Sequence, residues 1–244
     1  MRLEELRPLQ LQKARDRAPV AYVPLGTIEW HERHLPLGND ALKAQGICLR
    51  AAQLTGGIVF PPLYWAVDRW AEKDGRRLRG KDYDAGYPLP GSMYQVDEDL
   101  FENLLRQMLK EIFAQEFRVV VLMTGHNARN QEAIVKSVAH DFNMEAGRRC
   151  VWGLSEYEPV ADKYEFARDH AGKWETCLQM ALNPALVDMS QLPQDLKVPL
   201  TATSGVDPRI DASRELGERI LEDLAQAIAG EVRTMLAAAK PKER

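Results

Sequence analysis

Short apolar runs alternate along this chain with longer segments whose apolar residues recur at helical spacing. The apolar runs predict strands at 21–26, 56–67, 118–125 and 149–155. The other segments predict helices at 41–54, 97–115, 131–147, 174–182 and 211–238. Since the strands are almost continuously apolar, helices must cover both faces of the sheet. The pattern therefore predicts an α/β protein, a three-layer α/β/α sandwich around a mainly parallel central sheet.

Length and composition fit one globular domain spanning residues 1–244. A chain of 244 residues can bury a sizeable core, and a charged fraction of 28% is ordinary for a globular protein. A net charge of −4 lacks the positive excess of nucleic-acid or anionic-membrane binders. No stretch approaches the ~18 apolar residues of a membrane span, and the three cysteines form no CxxC pair. We expect a cytoplasmic protein with a small-molecule substrate and no nucleic-acid or membrane partner.

The segment 68–96 is long and polar, so we expect a loop that is either functional or disordered. Its arginines could bind a carboxylate or a phosphate, but acidic neighbours balance them, which favours a solvated loop. Four aromatic residues in or beside it could line a pocket or form a subunit contact: Trp65, Trp70, Tyr83 and Tyr87.

Histidines and carboxylates gather where two of the predicted strands end. The stretch IEWHERHLPLGND, residues 28–40, follows the first strand, and His126 follows a later one. Ligands of parallel α/β sheets bind at the carboxyl ends of the strands, so these groups should share one edge. Glu29 and His31 are two residues apart and face the same way in an extended segment. Asp40 can fold back towards them, or it can cap the helix that follows.

The side-chain types in these stretches indicate which metal ions could bind. Nitrogen and oxygen donors together suit Zn²⁺, Mn²⁺ or Fe²⁺ rather than Ca²⁺. The alternative is a solvated loop with surface histidines, since the spacing matches no zinc-finger pattern. A third pair, His170 and Glu175, stands in DHAGKWET and could instead be a plain helix start. Beside it, Trp174 could wall a pocket or belong to the core.

Five segments, taken in order, resemble motifs of the creatininase (creatinine amidohydrolase) family. EWHERHLPLGND resembles its E-x-H-G-x-H-L-P motif with a following Asp, and TGHNARN resembles N-G-H-G-G-N. PLPGS (88–92) is similar to its F-P-G-T loop. DHAGKWETCLQMALNPALVDM resembles H-A-G-x-x-E-T-S with its helix, and VDPRIDASRELGE (206–218) resembles a late G-x-P-x-x-A-S-x-E-x-G segment. The resemblance therefore spans nearly the whole chain.

The resemblance implies a metal-dependent hydrolase with an α/β/α fold, with one or two divalent ions per subunit. The ions would be zinc or manganese, with iron as a further option, and the assembly would be a homo-oligomer, often a hexamer. Four residues match the metal ligands: Glu29, His31, Asp40 and His126. Of these, Asp40 suits a bridge between two ions. Glu175 matches the acid that serves the metal or its water, and His170 matches the histidine proposed for proton transfer.

Several positions depart from the family motifs. Creatininase itself has an acidic metal ligand two residues after the position of His126, where this chain has Ala128. Either Glu175 completes a second metal site, or only one ion binds. Glu32 stands where the motif has glycine, and its carboxylate could orient a ligating histidine.

The expected activity is attack of a metal-activated water on a carbonyl of a small cyclic or formyl amide. Asn127 and Arg129 replace small residues, so we expect them, with Trp174, to contact the substrate. These larger groups argue against creatinine as the substrate. One alternative is carbon–carbon bond hydrolysis in a polyhydroxylated cyclic diketone such as a diketo-inositol. Another is a non-catalytic metal or ligand binder, against which the pair His170 and Glu175 argues, because a binder needs no proton shuttle.

Overall fold

A computed structural model describes residues 1–146 and 150–239. The strands are β1 (Val20–Leu25), β2 (Ile58–Val59), β3 (Trp70–Lys73), β4 (Arg76–Arg79), β5 (Val119–Thr124) and β6 (Cys150–Ser155). The helices are α1 (Pro8–Arg17), α2 (Asn39–Thr55), α3 (Gly80–Ala85), α4 (Glu98–Ala114), α5 (Arg129–Ala146), α6 (Lys173–Leu182) and α7 (Arg214–Ala238). Short 3₁₀ helices occupy Leu3–Glu5, Glu158–Val160, Pro184–Leu186 and Met189–Gln191.

Helices cover both faces of a parallel sheet, which confirms the predicted three-layer α/β/α architecture. The sheet has the strand order β2, β1, β5, β6. On one face, side chains such as Tyr22 and Val121 pack against α2, α6 and α7. On the other face, Val23 and Val120 pack against α1, α4 and α5. All residues of β1 and β5 are buried, which explains why these strands are continuous apolar runs.

Two parts of the secondary structure differ from the prediction. The strand predicted at 56–67 is reduced to β2, because the two prolines that follow lack the N–H group a strand ladder needs. The segment 68–96, predicted to be a loop, contains the antiparallel hairpin of β3 and β4 and then α3. The hairpin turns at Asp74 and Gly75, both with positive φ, which is the Asp-Gly signal of a type I′ turn.

The helix predictions are confirmed to within a few residues. The largest difference is at α7, which begins at Arg214 behind the capping side chain of Ser213 rather than directly after Asp211. The pattern did not predict α1, whose one buried residue is Ala14. The tail at 240–244 lies outside the described residues, as do the last residue of the predicted helix 131–147 and the first of the predicted strand 149–155. Within the described ranges, no helix has the length and apolar character needed to cross a bilayer.

Glycines at two strand ends let the first turn of α2 rest directly on the sheet. A Cβ atom on Gly26, just after β1, would lie 2.2 Å from the backbone nitrogen of Ala41. A Cβ atom on Gly125, just after β5, would lie 2.2 Å from the carbonyl oxygen of Asp40. Real side chains do not tolerate such distances, so both positions require glycine. This contact places Asp40 between the ends of β1 and β5.

Gly125→Ala should lower the free energy of unfolding by about 1–3 kcal/mol, because the new methyl group overpacks against the backbone of Asp40. Urea denaturation followed by circular dichroism measures the change. The matched control is Gly230→Ala in α7, where an added Cβ meets nothing within 4 Å. That control should raise stability by about 0.5–1 kcal/mol. Equal urea midpoints for Gly125→Ala and the wild type would contradict the close packing.

Candidate metal centre

The five predicted metal ligands come together at the carboxyl edge of the sheet. Glu29 and His31 follow β1, Asp40 lies in the first turn of α2, His126 follows β5, and Glu175 lies in the first turn of α6. Each of the five residues is at most 4% exposed. The sheet order explains the meeting, because β1 and β5 are hydrogen-bonded neighbours and both end at this edge.

The carboxylate of Asp40 stands between the two histidines. Its Oδ1 lies 2.9 Å from Nε2 of His31, and its Oδ2 lies 3.1 Å from Nδ1 of His126. Glu29 Oε1 lies 3.1 Å from the same Nδ1. The proposed cap on α2 does not form, since the helix follows Gly38 without a side-chain hydrogen bond at its start. Asp40 instead directs one oxygen to each histidine, as a bridging ligand would.

Both carboxylate oxygens of Glu175 accept hydrogen bonds. Its Oε1 accepts a hydrogen bond from Nζ of Lys43 at 2.6 Å, and its Oε2 accepts one from the backbone N–H of Ala171 at 2.7 Å. Oε2 also lies 3.6 Å from Nε2 of His31. Ala171 has the left-handed backbone value φ 50°, a costly conformation for a side-chain-bearing residue. The turn before α6 is therefore shaped around this carboxylate.

A buried lysine balances part of the negative charge. Lys43 is fully buried in α2, and its Nζ lies 2.9 Å from Oε1 of Glu156 as well as beside Glu175. The sequence analysis missed both Lys43 and Glu156. Two features of the sequence could have indicated them. Lys43 lies on the apolar face of a helix, one turn after Asp40, and Glu156 directly follows the end of β6.

The carboxylates dominate the electrostatics of this cluster. Burial alone would lower the pKa of His31, but Asp40 and Glu175 raise it to about 9. Glu29 and Asp40 likewise outweigh burial at His126 and hold its pKa well above the usual value. Despite burial, the two histidines keep the pKa of Asp40 well below its usual value. The cluster therefore attracts positive charge strongly, and a metal cation would compete with the protons on the histidines.

The donor set fits a divalent transition metal. Three groups of possible ligands occur in the described part of the chain: His31, Asp40 and Glu175; Glu29, Asp68 and His126; and Glu29, His31 and His170. Within each group the donor atoms lie within 4.8 Å of one another. Imidazole nitrogen together with carboxylate oxygen suits zinc, manganese or iron.

His170 lies beside the cluster with one nitrogen fixed. Its Nε2 is 2.8 Å from the carbonyl oxygen of Trp30. Because a carbonyl oxygen only accepts, Nε2 carries the hydrogen and Nδ1 is unprotonated, 3.6 Å from Oε1 of Glu29. Burial and the nearby His31 hold the pKa of His170 well below its usual value. The imidazole is therefore neutral, and Nδ1 is free to accept a proton.

A cavity of about 660 Å³ opens over these residues. Asn127 and Arg129, the other two residues expected to contact the substrate, line it. Trp174 does not, and its prediction as a substrate contact is corrected here. Its side chain is fully buried, its ring packs against Tyr164 and Phe166, and its indole N–H donates to a buried glutamate. The apolar pattern of α6 turns this residue towards the core.

The carboxylate that lies beside His126 is not the one expected from the sequence. Glu32, expected to orient a histidine, accepts a hydrogen bond from the backbone N–H of Thr201 and makes no hydrogen bond to His31 or His126 among the described residues. Asp68 lines the cavity instead, with Oδ2 3.6 Å from Nε2 of His126. Its signal in the sequence was an acid directly after an apolar run that ends at Val67.

Comparisons with known proteins show which family this chain belongs to. The family model for creatininase, described as creatinine amidohydrolase, matches residues 4–232. A creatinine amidohydrolase from Pseudomonas putida is 26% identical over 248 residues, an alignment that covers 88% of each chain.

Solved structures share the fold. A protein from Bacteroides fragilis NCTC 9343 is similar with a TM-score of 0.74 at 20% identity, over 100% of this chain and 98% of its own. A crystal structure of creatinine amidohydrolase gives 0.73 at 23% identity, over 98% of both chains. A manganese form of creatininase and a Zn–Zn form of a mutant creatininase each give 0.70 at 24% identity, over 95% of this chain and 97% and 96% of theirs. The family match covers most of the sequence, and this chain therefore belongs to the creatininase family of metal-dependent amidohydrolases.

Proposed function

We propose that this protein hydrolyses an amide bond in a small cyclic or formyl amide, using divalent metal ions held at the strand ends. The observation that carries the proposal is the carboxylate of Asp40, with one oxygen on His31 and the other on His126. Family membership favours an amide substrate over the carbon–carbon bond of a cyclic diketone, and it favours an enzyme over a non-catalytic binder.

The proposed cofactor is a pair of zinc or manganese ions, supported by the manganese and Zn–Zn forms of related creatininases. His31 and Glu175 would hold one ion, His126 and Glu29 the other, and Asp40 would contact both. Glu175 would thus supply the acid that Ala128 lacks. Such ions would supply Lewis acidity, which lowers the pKa of water towards about 7 and polarises the carbonyl of the substrate.

His170 is proposed to move the proton. Its Nδ1 accepts a proton from the attacking water and returns it to the leaving amide nitrogen, while the carbonyl of Trp30 fixes the ring through Nε2. Glu175 is instead proposed to hold an ion, because hydrogen bonds from Lys43 and from the backbone of Ala171 fix the position of its two oxygens.

Asn127 and Arg129 are proposed to bind polar groups of the substrate. The side-chain oxygen of Asn127 is buried without a hydrogen-bond partner among the described residues, and Arg129 is exposed at the rim of the cavity. Together they would suit a substrate with more polar groups than creatinine, in a cavity of about 660 Å³.

The proposed assembly is a cytoplasmic homo-oligomer, with the family hexamer as the expected size. The four aromatic residues around the hairpin are between 39% and 52% exposed and do not line the cavity, so a subunit contact accounts for them better than a pocket wall: Trp65, Trp70, Tyr83 and Tyr87. Sedimentation velocity of the purified protein tests this assignment, and a monomer at micromolar concentration would reject it.

The metal centre can be counted directly. Elemental analysis of the wild type should find about two transition-metal equivalents per chain, as in other two-metal sites, and Asp40→Ala should lose most of this metal because it removes the shared carboxylate. The control is Asp99→Ala, an exposed acid in α4. One equivalent in the wild type would support a single-ion site. No metal, even after incubation with Zn²⁺ or Mn²⁺, would reject the proposed function.

Removal of the proton carrier should separate catalysis from metal binding. His170→Ala should keep its metal but lose about 10²–10⁴-fold in kcat, the usual value of a positioned acid–base group. The assay is a panel of cyclic and formyl amides that includes creatinine, and the control is His140→Ala, an exposed histidine in α5. An unchanged kcat would reject this role. Full metal loading without turnover of any amide would support the non-catalytic binder.

A further inference from the structure

We infer that Asp68 is a positioning residue that orients His126 as a metal ligand by accepting a hydrogen bond from its outer nitrogen. Asp68 lies outside all five segments that resemble the family motifs, so the inference concerns this chain's own architecture. It rests on the metal centre of the proposed function.

The two ring nitrogens of His126 have different surroundings. Nδ1 lies 3.1 Å from an oxygen of Glu29 and 3.1 Å from an oxygen of Asp40, so it is the nitrogen that faces the ligand cluster. Nε2 is buried and has no hydrogen-bond partner within the described residues. When Nδ1 gives its lone pair to a metal, Nε2 must carry the hydrogen. A buried donor without an acceptor is costly.

The group that faces this nitrogen is the carboxylate of Asp68, with Oδ2 at 3.6 Å from Nε2. The separation exceeds the ~3.2 Å limit of a good N–H···O bond, so the bond forms when the ring turns slightly towards Asp68. The other oxygen, Oδ1, already accepts the backbone N–H of Arg69 at 2.7 Å. Asp68 is therefore fixed by one oxygen and offers the other to the histidine.

The backbone leaves room for this arrangement. A Cβ atom on Gly80 would lie 2.3 Å from Oδ2 of Asp68, and Gly80 has the left-handed value φ 49°. Its N–H donates to the carbonyl of Arg69 at 2.9 Å, which closes the base of the β3–β4 hairpin. Glycine at this position thus allows the hairpin to hold the carboxylate against the metal centre.

One side chain braces both partners. The amide oxygen of Gln131 accepts the backbone N–H of Val67, next to Asp68, at 3.0 Å. The amide nitrogen of Gln131 donates to Oγ1 of Thr124 at 2.9 Å, and that hydroxyl donates to the carbonyl of His126 at 2.8 Å. Gln131 is fully buried. The positions of the carboxylate and the imidazole are therefore set by the same network.

A carboxylate on the outer nitrogen of a ligating histidine fixes the tautomer and ring orientation and increases the basicity of the metal-binding nitrogen. Removal of such a partner typically weakens metal binding by 10–100-fold. Asp68 would have this effect at His126, and it would connect the base of the β3–β4 hairpin to the affinity of the metal centre.

The experiment compares zinc affinity, measured by chelator competition, in the wild type, Asp68→Ala and Asp68→Asn. Asp68→Ala should bind about 10–100-fold more weakly with an unchanged number of ions. Asp68→Asn should lose less, because its amide oxygen can still accept the hydrogen bond. The matched control is Asp84→Asn, which removes an equal charge from the same cavity but pairs with Arg69 and Lys81; its affinity should not change.

Cobalt substitution gives a second measurement. The visible absorption of Co²⁺ bound to Asp68→Ala should shift from that of the wild type, whereas Asp84→Asn should keep the wild-type spectrum. Thermal unfolding of the metal-free variants checks folding, and Asp68→Asn decides the question if the alanine variant is unfolded.

Three results would overturn the inference. Equal zinc affinity in Asp68→Ala and the wild type would show that the carboxylate does not act on the metal. Loss of a whole equivalent would make Asp68 a direct ligand rather than a positioning residue. A wild type that binds no metal would reject the proposed function itself, which distinguishes that failure from the other two.

Discussion

Burial of carboxylates at one edge of the sheet is the constraint on which the rest of this structure depends. Five acids there are at most 5% exposed: Glu29, Asp40, Glu156, Asp169 and Glu175. Removal of an ionised carboxylate from water costs several kcal/mol unless positive charge and hydrogen bonds replace the water. The fold supplies Lys43 to two of these acids and backbone N–H groups of α6 to Asp169. The remaining charge faces histidines, and a divalent cation at that place completes the balance.

The backbone achieves this balance through close contacts rather than through long side chains. The first turn of α2 reaches the strand ends because Gly26 and Gly125 carry no Cβ atom. The contact brings in Asp40, and one turn later the same helix brings in Lys43. Ligand and counter-charge thus come from one rigid element. Glu175 is positioned in a similar way, because the strained turn at Ala171 directs a backbone N–H group at its carboxylate.

The hydrogen bonds on each side chain indicate which chemical role it is suited to. Hydrogen bonds from Lys43 and Ala171 fix both oxygens of Glu175, so this carboxylate is suited to hold a metal ion. Nδ1 of His170 faces the cluster without such a bond, so it is suited to move a proton. At His126 the inner nitrogen meets two carboxylates, and the outer one meets Asp68. The segment at the base of the β3–β4 hairpin therefore borders the site, although it lies outside the parallel sheet.

The sequence by itself determined the layers of the fold and most of the candidate ligand set. Continuous apolar runs predict fully buried strands, and parallel strands share their carboxyl ends, so Glu29, His31 and His126 had to meet. The family motifs added Asp40 and Glu175. Only the tertiary structure decided that Asp68 lies beside His126, that Lys43 pairs with Glu156, and that Trp174 lies in the core. These depend on which side chains from distant segments face one another, and periodicity along the chain carries no information about that.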